Sequence, residues 1–148
     1  MKEIEKKFLL LGSTIKQGYL PIEKGKELIK LLGIKFNFDS DVIRLRKENK
    51  TYYLTIKSRG LVSRDELELE VSKGIFEKYW EYTKGRRVEK RRIRIPYADK
   101  VLEVDIFTDR DLVLAEIEVD SLDELEHIPN IGIDVTKNKY YANSYLAK

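Results

Sequence analysis

Residues 41–59 read DVIRLRKENKTYYLTIKSR, and oily and ionised side chains alternate through them. Ile43 and Leu45 interleave with Arg44 and Arg46; past Asn49-Lys50, Leu54 and Ile56 interleave with Thr55, Lys57 and Arg59. A period of two belongs to a β-strand, whose successive side chains point to opposite faces. Two such runs joined by two turn-forming residues predict an antiparallel hairpin with one apolar and one charged face.

The same period extends outward to 2–10, 64–71, 87–95, 101–108 and 112–120, which makes seven strand-like runs. A weaker eighth lies around Tyr19-Leu20 or at 34–38. Helical spacing is confined to 23–32, stopped by Gly33, to 72–84 with Ser72 as cap and Gly85 as stop, to a short 121–127, and to 137–148. Many strands with few helices predict an α+β, mainly β fold, a barrel or sandwich carrying helices on its surface. With 148 residues and no linker-like stretch, the whole of 1–148 reads as a single domain.

Lys and Arg number 29 against 26 Asp and Glu, a net charge of +3. So near a balance argues against a general DNA binder, whose basic excess is larger and gathered on one face. The absence of cysteine excludes disulfides and thiolate metal sites. The opening residues Met1–Lys7 lack the apolar core of a signal peptide, and no apolar run approaches the roughly 20 residues needed to span a bilayer. The expectation is a cytoplasmic protein that does not enter a membrane. His127 is the sole histidine, which leaves zinc hydrolysis and Ser-His-Asp catalysis without their parts. Phosphate loops and dinucleotide fingerprints are missing too.

Sorted by parity, the charges segregate by strand. Glu3 and Glu5, Glu66, Glu68 and Glu70, Glu103 and Asp105, and Glu116 and Glu118 gather acids; Arg44 and Arg46, Lys57 and Arg59, and Lys90, Arg92 and Arg94 gather bases. Alternation alone fits an ordinary sheet that is oily inside and charged outside. A solvated surface, however, gains little from sorting, since like neighbours repel and exposed pairs are worth about 0–1 kcal/mol. The helices, notably around Trp80, also need an apolar sheet face to cover. If they cover the outside, the ionised face points inward, and an eight-stranded closed barrel has room for one small ligand. Lys7, Arg44, Arg46, Lys57, Lys90 and Arg92 then form a cradle for a polyphosphate, and the paired carboxylates are hard oxygen ligands for Mg2+ or Mn2+, with two ions expected. Lys90 is the candidate for stabilising the leaving oxygen.

These residues resemble the CYTH superfamily, the triphosphate tunnel metalloenzymes, in its bacterial and archaeal branch. Glu3-Ile4-Glu5-Lys6-Lys7 fits the signature E-x-E-x-K. It is followed in order by Gln17-Gly18-Tyr19, Arg44-Leu45-Arg46, Thr55-Ile56-Lys57 and Arg64–Glu68. Glu89–Arg92, Glu103-Val104-Asp105, Glu116-Ile117-Glu118 and Val135-Thr136 with Tyr141 and Asn143 complete the series. The resemblance implies an eight-stranded tunnel and metal-dependent hydrolysis of tripolyphosphate, thiamine triphosphate or nucleoside triphosphates. It implies that Glu116 and Glu118 hold the first metal and that Glu3, Glu5, Glu68 and Asp105 surround the second. Glu5, Glu68 and Lys90 become the catalytic candidates, and Lys7, Arg44, Arg46, Lys57, Lys90 and Arg92 the substrate-binding ones. Asp111 and Tyr140 depart from the family pattern, where glycine and arginine are usual; the second leaves open whether the C-terminal helix closes the tunnel, with Lys137 or Lys139 as substitutes.

The compact length favours inorganic tripolyphosphate as substrate. The alternatives are a class IV-type adenylate cyclase and a non-catalytic polyphosphate-binding barrel, and an RNA 5′-triphosphate end remains a compatible partner. A homodimer is compatible with the sequence and is not specified by it.

Overall fold

The computed structural model describes residues 1–148, the side chain of Asp41 excepted. Seven strands form one antiparallel sheet: β1 (Gly12–Tyr19), β2 (Ser40–Glu48), β3 (Thr51–Ser58), β4 (Glu66–Glu70), β5 (Arg87–Tyr97), β6 (Lys100–Phe107) and β7 (Val113–Ile117). Their spatial order is β4-β3-β2-β1-β5-β6-β7. Six predicted runs are strands within two or three residues of their expected limits, and the quoted hairpin pairs Leu45 with Leu54 and Arg44 with Thr55.

Two expectations are corrected. Residues 1–11 form no strand and are exposed, so the period-two pattern of 2–10 is not expressed in the sheet. A pattern of alternation supplies faces but no hydrogen-bond partner, and a strand exists only where another strand's edge receives it. The strand that holds the sheet together is instead the weak one ending at Tyr19, paired with β2 on one side and β5 on the other. The sheet is also not closed by hydrogen bonds. β4 and β7 are edges, and the eight-stranded closed barrel is seen here as seven strands.

Both faces of the sheet are used. Helix α1 (Ile22–Leu31) and helix α2 (Lys73–Trp80) cover the outer face of β1 to β4. Leu28 of α1 and Phe76 and Tyr79 of α2 bury against Leu20, Ile43, Leu45 and Leu54. Ser72 caps α2 by accepting from the Ile75 N–H, and one 3-10 turn, Glu81–Thr83, carries the chain to Gly85 at φ +76°. Ser121 likewise caps the short α3 (Leu122–Glu126). The predicted helix over 137–148 is broken into a 3-10 turn, Lys139–Tyr141, and α4 (Asn143–Leu146), with Ala142 extended between them.

Gly18 explains why the central strand looks weak in the sequence. It lies on the outer face beneath the end of α2, where an added Cβ would stand 2.6 Å from Thr83 Cβ and 2.9 Å from Trp80 Cζ3. Only hydrogen fits. Gly18→Ala is expected to destabilise the fold by about 1–3 kcal/mol through this overpacking, read as a lower urea midpoint at unchanged slope.

Candidate active site

The face opposite the helices carries the charges, and its centre is buried while its flanks are exposed. Arg44, Lys90, Arg92 and Asp105 are buried with Gln17 and Thr55 on the same face of the sheet. Across the strands the side chains fall into bands. Glu66, Glu68 and Glu70 are on β4, Lys57 on β3, Arg44 and Arg46 on β2, and neutral Gln17 on β1. Lys90, Arg92 and Arg94 follow on β5, Glu103 and Asp105 on β6, and Glu116 on β7. A cationic centre is thus flanked by acids on the strands toward both edges. Of the cations in these bands, Arg44, Lys90 and Arg92 are buried, Arg46 and Lys57 are partly buried, and Arg94 is exposed; the face lines an open sheet, where a closed lumen was expected.

Burial makes most of these charges find partners. Lys90 and Asp105, each 1% exposed, are 2.6 Å apart. Asp105 also accepts twice from Arg92, at 2.7 and 2.8 Å, in a bidentate fork. Arg92 and Arg94 both reach Glu103. On the other side Arg44 Nη2 donates to Thr55 and to Glu68, while Lys57 lies 3.5 Å from Glu66.

The energetic balance shows in the proton affinities. Burial pushes Lys57 down to about 7, helped by the neighbouring charges of Arg44 and Arg64 and opposed by Glu66. Burial lowers Lys90 to about 8 even against the pull of Asp105. Arg46 falls to about 10 through burial and repulsion from Arg44 and Arg92. For Asp105 burial acts upward, but the hydrogen bonds and charges of Arg92 and Lys90 outweigh it and hold the carboxyl below its ordinary value.

Two features of the cations stand out against this pairing. Arg44 Nε is buried with no hydrogen-bond partner, the kind of orphaned donor that a ligand satisfies. Arg46 has no carboxylate partner among the described residues; its hydrogen bond goes from Nε to the Oε1 of Gln17, at 3.0 Å. One end of the charged face is plugged by the chain terminus, where Ala147 and Leu146 pack on Tyr19, Val88 and Phe107. From α4, Asn143 Oδ1 accepts from Lys90 Nζ at 3.1 Å. The C-terminal segment therefore contributes an amide to the site. Lys139 instead lies over the rings of Tyr140 and Tyr145.

The predicted acids are distributed unevenly. Glu68, exposed, and Asp105, buried, are on the charged face, and both are engaged with cations. Glu116 pairs in register with Glu103, an opposition of like charges, and Glu118 is exposed just past the end of β7. Glu3, Glu5 and Lys7 lie outside the sheet on the exposed segment, where Lys7 pairs with Glu5 at 3.4 Å. Among the described residues no three acids gather closely enough to hold a metal ion. The donor set suits a hard divalent cation in kind, all of it carboxylate oxygen, and the Glu103–Glu116 opposition is the place where such a charge would relieve repulsion. Gln17, Thr55 and Asn143 had no role assigned from the sequence. The signal for them there was that all three stand in the quoted motif series: Gln17 before Gly18-Tyr19, Thr55 before Ile56-Lys57, and Asn143 after Tyr141.

Asp105→Asn removes the charge shared by two buried cations. Loss of about 3–5 kcal/mol of stability is expected for such an uncompensated pair, measured by chemical denaturation at pH 7. A loss below 1 kcal/mol would mean the cations reach solvent.

No protein-family model matches the chain. The chain is 36% identical over 156 aligned positions to the inorganic triphosphatase of Nitrosomonas europaea, covering 99% of this chain and 97% of that protein. A crystal structure of the inorganic triphosphatase NE1496 superimposes with a TM-score of 0.62 at 31% identity, over 97% of this chain and 87% of that one. A second NE1496 structure gives 0.60 at 33%, over 97% and 90%. No helix of the chain is long and apolar enough to cross a membrane. Identity at this level over nearly the full length of both chains places the protein in the family of that inorganic triphosphatase.

Proposed function

We propose that this chain is a triphosphatase of the CYTH, or triphosphate tunnel, type, hydrolysing a linear triphosphate held along the row of cations on the charged face. The observation that carries the reading is the cationic band itself. Arg44, Arg46, Lys57, Lys90 and Arg92 share one face, one of them keeps an orphaned donor, and another forms no ion pair among the described residues. Carboxylate partners on the site's flanks offset the remaining charge until a polyanion takes over those contacts. Inorganic tripolyphosphate is favoured as the substrate because the relative that matches nearly the whole chain is an inorganic triphosphatase.

The chain's own residues account for most of the chemistry. The guanidinium forks of Arg44 and Arg92 and the charge of Arg46 bind and orient phosphate oxygens. Lys90, held by Asp105 and Asn143, is positioned to neutralise the oxygen that leaves. Glu116 and Glu118, with Glu103 opposite, would hold a divalent ion, Mg2+ or Mn2+; Glu68 and Asp105 belong to a second such group. When bound, these ions would supply charge neutralisation and a more acidic water. Glu68 and Glu5 are the acids assigned to catalysis.

The finer architecture belongs to this reading. The two sheet edges carry acids on the charged face, Glu66, Glu68 and Glu70 on β4 and Glu116 on β7, and 2–10 has the alternation of a further strand. Its entry between the edges would close an eight-stranded barrel and carry Glu3, Glu5 and Lys7 to the site. A class IV-type cyclase activity and a binding-only role are the outcomes that compete.

Purified protein with Mg2+ or Mn2+ is expected to release phosphate from tripolyphosphate faster than from ATP, thiamine triphosphate or a 5′-triphosphorylated RNA, with no cyclic AMP. Silence on all triphosphates would reduce the protein to a polyanion binder. Glu118→Gln and Glu5→Gln should each abolish turnover while the fold persists; full activity in Glu5→Gln would leave the N-terminal segment outside the site.

Lys57 yields a pH signature. At pH 8 most of a group titrating at about 7 has lost its proton, and a bound polyanion favours the charged form. Binding of tripolyphosphate should therefore take up protons at pH 8, and less so at pH 6. Calorimetry in buffers of different ionisation enthalpy reads this directly, and Lys57→Met should remove most of the uptake.

A further inference from the structure

We propose that Gln17 is a positioning residue that holds Arg46 for the phosphate chain while leaving its charge unspent. The inference rests on the reading of the charged face as a phosphate cradle and assigns a role within it.

Gln17 is fully buried in the central strand, directly opposite Arg46 in the register of β1 and β2. A primary amide offers one oxygen that accepts and one nitrogen that donates, and a guanidinium can only donate. Arg46 therefore decides which way the amide faces: Oε1 accepts from Arg46 Nε at 3.0 Å, and Nε2 is left to donate to Tyr19 Oη at 3.2 Å. Tyr19 is itself packed against Val88 and Phe107, which fixes the far end of the chain Tyr19–Gln17–Arg46.

The neutrality of the acceptor is the point. The other four cations of the cradle are each tied to at least one carboxylate: Arg44 to Glu68, Lys57 to Glu66, Lys90 to Asp105, and Arg92 to Asp105 and Glu103. Arg46 faces repulsion from Arg44 and Arg92, and an untethered guanidinium would swing away from them. A carboxylate at position 17 would hold it equally well but would cancel the charge an incoming phosphate needs. An amide fixes the Nε edge, leaves the two terminal nitrogens to the ligand, and keeps the charge whole. A residue that merely filled the core at this position would have been apolar, as Ile15 is on the same face of the same strand.

The test is a double-mutant cycle with Gln17→Met, Arg46→Met and both together, paired apolar changes of similar length, the double variant leaving neither the guanidinium nor the amide without its partner. The probe is tripolyphosphate without metal, its affinity read by calorimetry, alongside melting temperatures. Gln17→Met is expected to weaken binding about tenfold, and the double variant to bind no more weakly than Arg46→Met alone. Gln17→Glu adds a second arm, since it retains the tether and should keep or raise the melting temperature while also weakening binding. Additive losses in the cycle, binding within twofold of wild type in Gln17→Met, or undiminished affinity in Gln17→Glu would each overturn the role. The readout is independent of turnover. A wild type that binds but does not hydrolyse overturns the triphosphatase reading alone, and a wild type that fails to bind overturns both.

Discussion

Asp105 is the hinge of the charged face. It is almost wholly buried, and it neutralises Lys90 and Arg92 at once. Without that shared partner two cations could not sit inside the sheet, because taking an unpaired charge out of water costs several kcal/mol. With it, one carboxylate balances two positive groups, and the pair keeps a surplus of positive charge. Arg92 has Glu103 in addition, and Lys90 has the amide of Asn143. The site is stable as a folded object yet remains attractive to an anion.

Strand order turns this local arrangement into a site. The five central cations come from β2, β3 and β5, which surround β1, so the middle of the sheet is positive and its flanks negative. That banding depends on β1 being present in the centre and on its being nearly free of charge on the inner face, where Ile15, Gln17 and Tyr19 stand. On the other face Gly18 lets Trp80 and Thr83 come down onto the strand, so the residue that seats the helix on the sheet and the amide that meets Arg46 are adjacent in sequence. Outer packing and inner chemistry meet on three residues, Gln17-Gly18-Tyr19.

Much of this was legible in the residues, and the reasons differ by element. Strands with strong alternation were readable because one face touches α1 and α2 or neighbouring apolar strands while the other carries charge. The direction of the charged face followed from needing somewhere to put the helices. The central strand was nearly invisible, because Gly12, Ser13, Thr14, Lys16, Gln17 and Gly18 leave Ile15 as its one strong apolar signal before Tyr19. Its polar residues serve neighbours far away in sequence, and no local period encodes that. Residues 2–10 erred in the opposite direction, since their alternation is clear but pairing is a property of two segments. The cations of the site were recoverable from parity; the tethers Gln17, Thr55 and Asn143 were marked only by standing in the motif series, and their role was not, since a neutral hydrogen-bonding residue looks alike wherever it stands.

The pairing on the charged face also constrains how any anion enters. Arg44 is bound to Glu68 and Lys57 to Glu66, so an arriving phosphate must compete with carboxylates for the same donors. Each contact it wins releases an acid that then lacks a positive neighbour, next to other acids of the same strand. The row Glu66, Glu68 and Glu70 and the opposition of Glu103 with Glu116 become more repulsive as the cradle fills. Positive charge brought to those flanks therefore stabilises the filled state more than the empty one, and by linkage an anion in the centre raises the affinity of the flanks for cations. Only Arg46, held by an amide, enters this exchange without displacing an acid, which makes it the contact that costs the incoming anion least.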